Sequence, residues 1–207
     1  NKYYITYSAI SSNGVCTALA ETEDFQTVNK LGIIFCPSNK DVAIFPEKIN
    51  DKYFCFHRPS PVALGQPSMW AATSKDKLNW GEHKWVIAPR PGMWDCERVG
   101  CGSPPVKTEK GWLHIYHASD FNTRYCLGAL LVDFENPNKV IARTEDPLFQ
   151  PEMDFETSGF VPNVVFCNGH VQKDKEILHI YYGAADEFTC GAEIKIQEIL
   201  EILSDNH

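Results

Sequence analysis

The sequence predicts an all-β fold of the β-propeller kind. Short β-rich runs follow one another, and almost every gap between them holds Gly, Asn, Asp or Pro. Pro46, Pro104 and Pro162 stand 58 residues apart, and the segments that follow them repeat. Only Ile196–Leu203 has the pattern of a helix. A repeat of this length marks a propeller or a solenoid, and antiparallel sheets around an axis are its natural form.

The elements fall in order. Tyr3–Ser8 and Thr17–Ala20 match the second and third strands of the repeat, and nothing ahead of them serves as a first strand. The chain therefore enters a unit partway through. After each proline come a first run (Glu47–Ile49, Pro105–Lys107, Asn163–Phe166), a turn, and a second, aromatic-rich run. The second runs are Tyr53–His57, Trp112–His117 and Ile177–Tyr182, and Met69–Thr73, Leu127–Val132 and Cys190–Ile196 continue the units. The expected domain is one incomplete ring of about three and a half four-stranded blades, with approximate blades 1–38, 39–95, 96–153 and 154–207. Either the C-terminus supplies a missing strand and closes four blades, or the ring belongs to a larger one. Open strand edges invite pairing, so a homo-oligomer is expected.

Composition narrows the function classes. At 207 residues and 43% hydrophobic, the chain can bury a core without disulfides or metal. Its 27 acidic against 19 basic residues give a net charge of −8, which argues against a general nucleic-acid or acidic-membrane binder. No apolar run approaches the length of a membrane span, and no signal-peptide pattern opens the chain. The eight cysteines lie mostly in apolar runs and form no CxxC pair. They read as buried free thiols of a reducing compartment, the cytoplasm. Cys96 and Cys101 flank a loop, but no His stands at ligand spacing from them, which disfavours zinc. Most of Trp70, Trp80, Trp85, Trp94 and Trp112 are expected in the blade core.

Polar residues recur where the second strand of each unit ends: His57-Arg58-Pro59, Tyr116-His117-Ala118 and Gly183–Asp186. Equivalent positions of successive blades converge, so Arg58, His117 and Asp186 are expected around one pocket. Lys107, at the end of a first strand, is expected to point the same way. Arg and Lys with a His suit an anion, phosphate above all. There is no GxxxxGK[ST] loop, and the glycines of Val99–Pro105 read as a rigid turn before a strand, not as a dinucleotide fingerprint.

Several long motifs carry a specific resemblance. KDVAIFPEKI, YFCFHRPSP, GCGSPPVKTEKGWLHIYH, GALLVDFENPNKVIAR, PEMDFETSGFVPNVVF and HIYYGAAD occur in order. Together they resemble glycoside hydrolase family 130, the β-mannoside phosphorylases and related mannosidases on a five-bladed propeller. The resemblance runs from about Tyr3 to about Ile194.

It implies inverting phosphorolysis of a β-mannoside by inorganic phosphate, to α-mannose 1-phosphate and an acceptor sugar. No cofactor is implied beyond phosphate as co-substrate. Phosphate is already anionic, so it needs positioning and charge neutralisation, not a strong base. By motif, Arg58 and Lys107 match the phosphate-binding Arg and Lys, and His117 a phosphate-side His. Tyr125 and Asp186 match sugar contacts, with Asp41 a further sugar-side candidate. Arg98 is assigned a structural role. The family's general-acid Asp stands in a Gly-x-Glu-Asp-x-Arg segment that this sequence lacks, ahead of the strand at Tyr3. The chain alone is therefore expected to be inactive or slow. Two other readings compete. A phosphate-independent β-mannosidase needs a second carboxylate as base, Glu97 or Glu156. A non-catalytic propeller would bind a glycan without turnover.

Overall fold

In the computed structural model, residues 2–60 and 65–205 are described; Pro61 of the HRPSP motif lies outside them. Four antiparallel sheets succeed one another along the chain. The first is β1 (Tyr3–Ser11), β2 (Gly14–Thr22) and β3 (Asn29–Phe35). The second is β4 (Asn39–Ile44), β5 (Tyr53–Pro59), β6 (Met69–Ser74) and β7 (Trp80–Ile87). The third joins β8 (Arg98–Cys101) and β9 (Val106–Lys107) to β10 (Trp112–Ser119), then β11 (Tyr125–Val132) and β12 (Val140–Arg143). A single turn of helix, α1 (Asp154–Thr157), precedes the fourth sheet of β13 (Val165–Gln172), β14 (Ile177–Ala184) and β15 (Phe188–Lys195). Helix α2 (Ile196–Asp205) ends the described chain.

Alternation along the strands builds the core between the sheets, because successive side chains point to opposite faces. On β5, Cys55 packs with Leu19 and Ala72 against the first sheet. Phe54 and Phe56 face the other way and meet Trp112 and Tyr116 of β10. Leu113 and Ile115, on the far face of β10, meet Leu178 and Ile180 of β14. Both faces are covered, which is why β10 is buried at all eight positions. Helix α2 turns Ile196, Ile199, Leu200 and Leu203 inward, the i, i+3, i+4, i+7 stripe of an amphipathic helix, and adds them to this last layer. A buried charge cluster braces the segment leading into β8. Asp95 is fully buried; it accepts from Arg90 Nη2 at 2.7 Å and Tyr116 Oη at 3.2 Å, and Arg143 also reaches it.

Four expectations need correction. The first strand of the second unit is β4, before Pro46; the Glu47–Ile49 run makes only an isolated bridge with Lys52. In the third unit Pro104 and Pro105 split the first strand. β8 pairs the end of β10 and β9 pairs its start, since proline cannot donate to a ladder. The fourth sheet has three strands, and its run after β14 leads into α2. Of the five tryptophans only Trp112 is fully buried, and Trp85 is 55% exposed. Cys101 lies buried in β8 and Cys96 is half-buried; both are free thiols, as are the other six.

Candidate active site

Three strands of the second and third sheets bring the central group together. Asp41 on β4, Arg58 at the end of β5 and His117 near the end of β10 meet through one carboxylate oxygen. Arg58 Nε lies 2.7 Å from Asp41 Oδ2, an ion contact without hydrogen-bond alignment. His117 Nε2 lies 3.1 Å from the same oxygen. The donor there is the ring N–H, which leaves the buried Nδ1 of His117 without a partner among the described residues. Arg58 and His117 are almost wholly buried.

Local backbone geometry sets this up. The β4–β5 ladder shifts register between Lys40 and Ala43, and Asp41 takes a left-handed φ of 56°. Such residues concentrate at functional sites, and Asp tolerates the region better than most. The bulge turns Asp41 toward the neighbouring sheet. The facing strand must also leave room. Gly100 of β8 pairs with His117, and a Cβ on it would lie 2.3 Å from His117 Nε2 and 2.5 Å from Asp41 Oδ2. Glycine here permits a close approach within a strand; it does not make the rigid turn expected from Val99–Pro105.

Electrostatics follow from burial and charge. Burial works to raise the Asp41 carboxyl, but His117, Arg58 and Lys40 outweigh it and hold it down at about 2. It is a carboxylate at neutral pH and cannot donate a proton. Burial lowers His117, with Asp41 opposing, so the ring is neutral near pH 7. Half-buried Lys40 is lowered by burial, with Asp41 opposing and Arg58 and Arg98 adding to the effect. Two cations, Lys40 and Arg58, thus flank one buried carboxylate.

Lys40 is the lysine that sequence reasoning missed, although it sits in the KDVAIF motif beside Asp41. Lys107 is the one it chose, and the fold does not bring it here. Lys107 lies opposite Trp112 at the start of β10, five residues and about 17 Å of strand from His117. It is exposed and pairs with Glu47. A strand has two ends, and the order of motifs along the chain does not say which one a residue marks.

The remaining candidates lie around the cluster. Tyr125, at the start of β11, has its ring 6.3 Å from that of His117. Phe166 of β13, which the sequence did not single out, packs on His117 at 3.9 Å between ring centres. Asp186 is exposed in the β14–β15 turn at a φ of 53°, and its charge acts on Lys40. A polar cavity of about 340 Å³ opens beside Lys40 and Asp41 and is lined also by Phe166 and Asn168.

The two alternative bases are both engaged. Glu97 accepts from Arg98 Nε at 2.9 Å and Ser119 Oγ at 2.8 Å. Burial works to raise it, but these two partners prevail and lower it, which weakens it as a base. Arg98 is thereby paired with Glu97, and its guanidinium lies 5.9 Å from the centre of the Tyr125 ring. Glu156 is buried, accepts the backbone N–H groups of Glu152 and Met153, and takes a 2.8 Å hydrogen bond from Tyr182. It holds α1 in place.

Known proteins share this arrangement of sheets. Residues 1–205 match the family model for glycoside hydrolase family 130, described as beta-1,4-mannooligosaccharide phosphorylase. A beta-1,2-mannobiose phosphorylase of Listeria innocua is 45% identical over 201 residues, 97% of this chain and 56% of its own length. A 1,2-beta-oligomannan phosphorylase of a Thermoanaerobacter species is 40% identical, over 95% of this chain and 65% of its own. The solved structure of the Listeria innocua enzyme with beta-1,2-mannobiose superposes with a TM-score of 0.96, covering 99% of this chain and 57% of that one. The chain thus spans a little over half to two thirds of the length of the curated relatives it matches. With the family model matched over residues 1–205, the chain belongs to glycoside hydrolase family 130.

Proposed function

We propose that the chain forms the phosphate side, and part of the sugar side, of a β-mannoside phosphorylase. The observation that carries this reading is the pair of cations, Lys40 and Arg58, set around the Asp41–His117 contact. Arg58 offers a planar donor fork and Lys40 a point charge to a phosphate dianion. Asp41 orients Arg58 and fixes the His117 tautomer. Tyr125 and Asp186 contact the mannose, and Lys107 has no part in the site. Phosphate attacks the anomeric carbon with inversion as the glycosidic oxygen leaves with a proton. Asp41, held ionised, is not the donor of that proton. The donor is an acid in the part of the relatives' length that this chain does not span. The four sheets are blades of one propeller domain.

A hydrolase would need a free carboxylate as base, and the engagement of Glu97 and Glu156 weighs against it. Phosphorolysis at an acetal needs no cofactor beyond phosphate itself. A cytoplasmic site of action fits the eight free thiols. Among the described residues no helix is long and apolar enough to cross a membrane. Self-association through the free edge of β1 is part of the same reading.

The test is thermal unfolding of the chain with mannose, with and without phosphate. A ligand of the native state stabilises by about 2.7 kcal/mol at a hundredfold excess over Kd. We expect a phosphate-specific rise that is lost in Lys40→Ala and Arg58→Ala and kept in Lys107→Ala. A rise lost only in Lys107→Ala would refute this assignment. No rise in a cooperatively melting chain would count against phosphorolysis.

A further inference from the structure

His57 stands next to Arg58 on β5 but points to the opposite face, toward Phe35 of the first sheet. There it is the middle of a hydrogen-bonded chain. Its Nδ1 lies 2.9 Å from Asn39 Nδ2, and its Nε2 lies 3.2 Å from His83 Nδ1. Phe35 stacks on the His57 ring at 4.5 Å and meets His83 edge-on. Asn39 and His57 are buried, whereas His83, on the edge strand β7, is exposed. The chain therefore runs from solvent to the residue before Lys40. Asn39 pairs with Pro59 and Lys40 with Arg58, so the Asn39–His57 bond clasps the end of the ladder whose other face carries the two cations.

The protons along this chain are linked. A neutral imidazole has one N–H and one acceptor nitrogen. With Asn39 Nδ2 donating, His57 Nδ1 accepts, the His57 proton sits on Nε2, and His83 must accept through an unprotonated Nδ1. A protonated His83 donates from both nitrogens, and the order reverses. His57 Nε2 then accepts, its proton is exchanged for one on Nδ1, and the Asn39 amide turns its oxygen toward the ring. His57 carries one proton in both states, and burial keeps it neutral. The far end of the amide favours neither orientation, since the buried Asn39 Oδ1 has no partner among the described residues. His83 is the titratable group that faces His57; β3, β4 and β6 present Phe35, Asn39 and Trp70 to it. On its own strand His83 stands between Lys84 and Glu82, and Glu82 is held by Lys52 and Thr73.

We propose that Asn39, His57 and His83 form a two-state relay, in which protonation of His83 reverses the chain and turns the Asn39 amide, making Asn39 and His57 pH-sensitive positioning residues for Lys40 and Arg58. The link to phosphate rests on the proposed phosphorylase reading; the reversal does not. A positive charge on His83, and a donor in place of an acceptor at the far end of the amide, both favour an anion. Protonation of His83 and anion binding therefore reinforce each other.

The experiment is nitrogen-15 NMR of the histidine rings of the chain, from about pH 8 to about pH 5.5, the range in which imidazoles change charge. It is run with phosphate and with chloride at equal ionic strength. The nitrogen shifts show which ring atom carries the proton. The His57 proton should pass from Nε2 to Nδ1 as His83 protonates. In His83→Gln, whose amide does not titrate, its place should not depend on pH; the exposure of His83 makes this variant safe for folding. Phosphate should raise the midpoint of the His83 titration by about 0.3 pH unit, a twofold coupling, and Lys40→Ala should abolish the rise. A His57 proton that stays on one nitrogen throughout, or that still moves with pH in His83→Gln, would overturn the relay. Phosphate that binds without moving the His83 midpoint would overturn the positioning of the two cations. A relay that reverses in a chain whose spectra show no binding of phosphate would uphold the relay and count against the phosphorylase reading.

Discussion

β1 and β10 are the same strand of the repeat in two different settings. Each is the aromatic-rich second strand of its unit. β10 is paired along both edges, by β8 and β9 on one side and β11 on the other, and is buried throughout. β1 is paired only with β2, has no fully buried residue, and leaves Ile10 82% exposed. The sequences are comparably apolar, so the difference lies in the neighbours. Burial in this fold belongs to the stack of sheets and not to the single strand.

The comparison can be broken from the middle sheet outward. Trp112→Ala should cost about 3–5 kcal/mol, since it empties the layer between the second and third sheets. Urea unfolding measures it, and a cost below about 1 kcal/mol would mean that the middle sheets are no better packed than the first. Asp95→Ala leaves Arg90, Arg143 and Tyr116 without their shared partner, and a loss of about 3–5 kcal/mol is expected by the same measurement.

Gly100→Ala forces a Cβ against His117 and Asp41. About 1–3 kcal/mol should be lost with it, together with the phosphate-dependent rise in melting temperature. A variant that keeps both would show that the strand yields easily at this point.

Acid sharpens the contrast further. Burial lowers His57 and His114 to about 3, helped by His83 and by His117 respectively, so both rings are neutral in the fold. Unfolded, they protonate near 6.5. The unfolded chain therefore binds more protons below that pH, and stability falls as pH drops from about 6.5 toward 3. Each ring contributes about 1.4 kcal/mol per pH unit in that window. Both lie in the second and third sheets, and His114→Leu should flatten the slope of melting temperature against pH. The smallest effect is expected at the other pole: Ile10→Ala should stay within about 0.5 kcal/mol of the parent.

Much of the fold was legible because it is periodic. Spacing alone placed the second strands, and β5, β10 and β14 begin at the residues expected, Tyr53, Trp112 and Ile177. The first strands were harder. Their position relative to the prolines shifts from unit to unit, and a proline marks a break in pairing wherever one falls. At the site, Arg58 and His117 could be read from their equivalent places in the repeat. Lys40 could not, because its position depends on the bulge after it and on the left-handed turn at Asp41. Gly100 was visible as a glycine, but its reason was not. The reason is a histidine ring and a carboxylate from two other strands. Phe166 was hidden for a similar cause, since its partner His117 comes from the neighbouring sheet.

Among the described residues no strand belongs to two sheets, and an isolated bridge, Tyr125 with Val164, links the third sheet to the segment entering the fourth. Residues 3–35, 39–87, 98–143 and 165–195 each close a sheet of their own from contiguous chain. Hydrogen-bonded pairing therefore closes only short loops, and its topological cost in folding is low for an all-β protein. What passes between sheets is side-chain packing, together with polar contacts such as those of Thr6 Oγ1 with Val42 O and of Thr17 Oγ1 with Asn39 O, and those that make the site. A chain built this way can gain or lose a whole sheet without disturbing the pairing in the others. Binding chemistry spread over several sheets is the part most exposed to such a change.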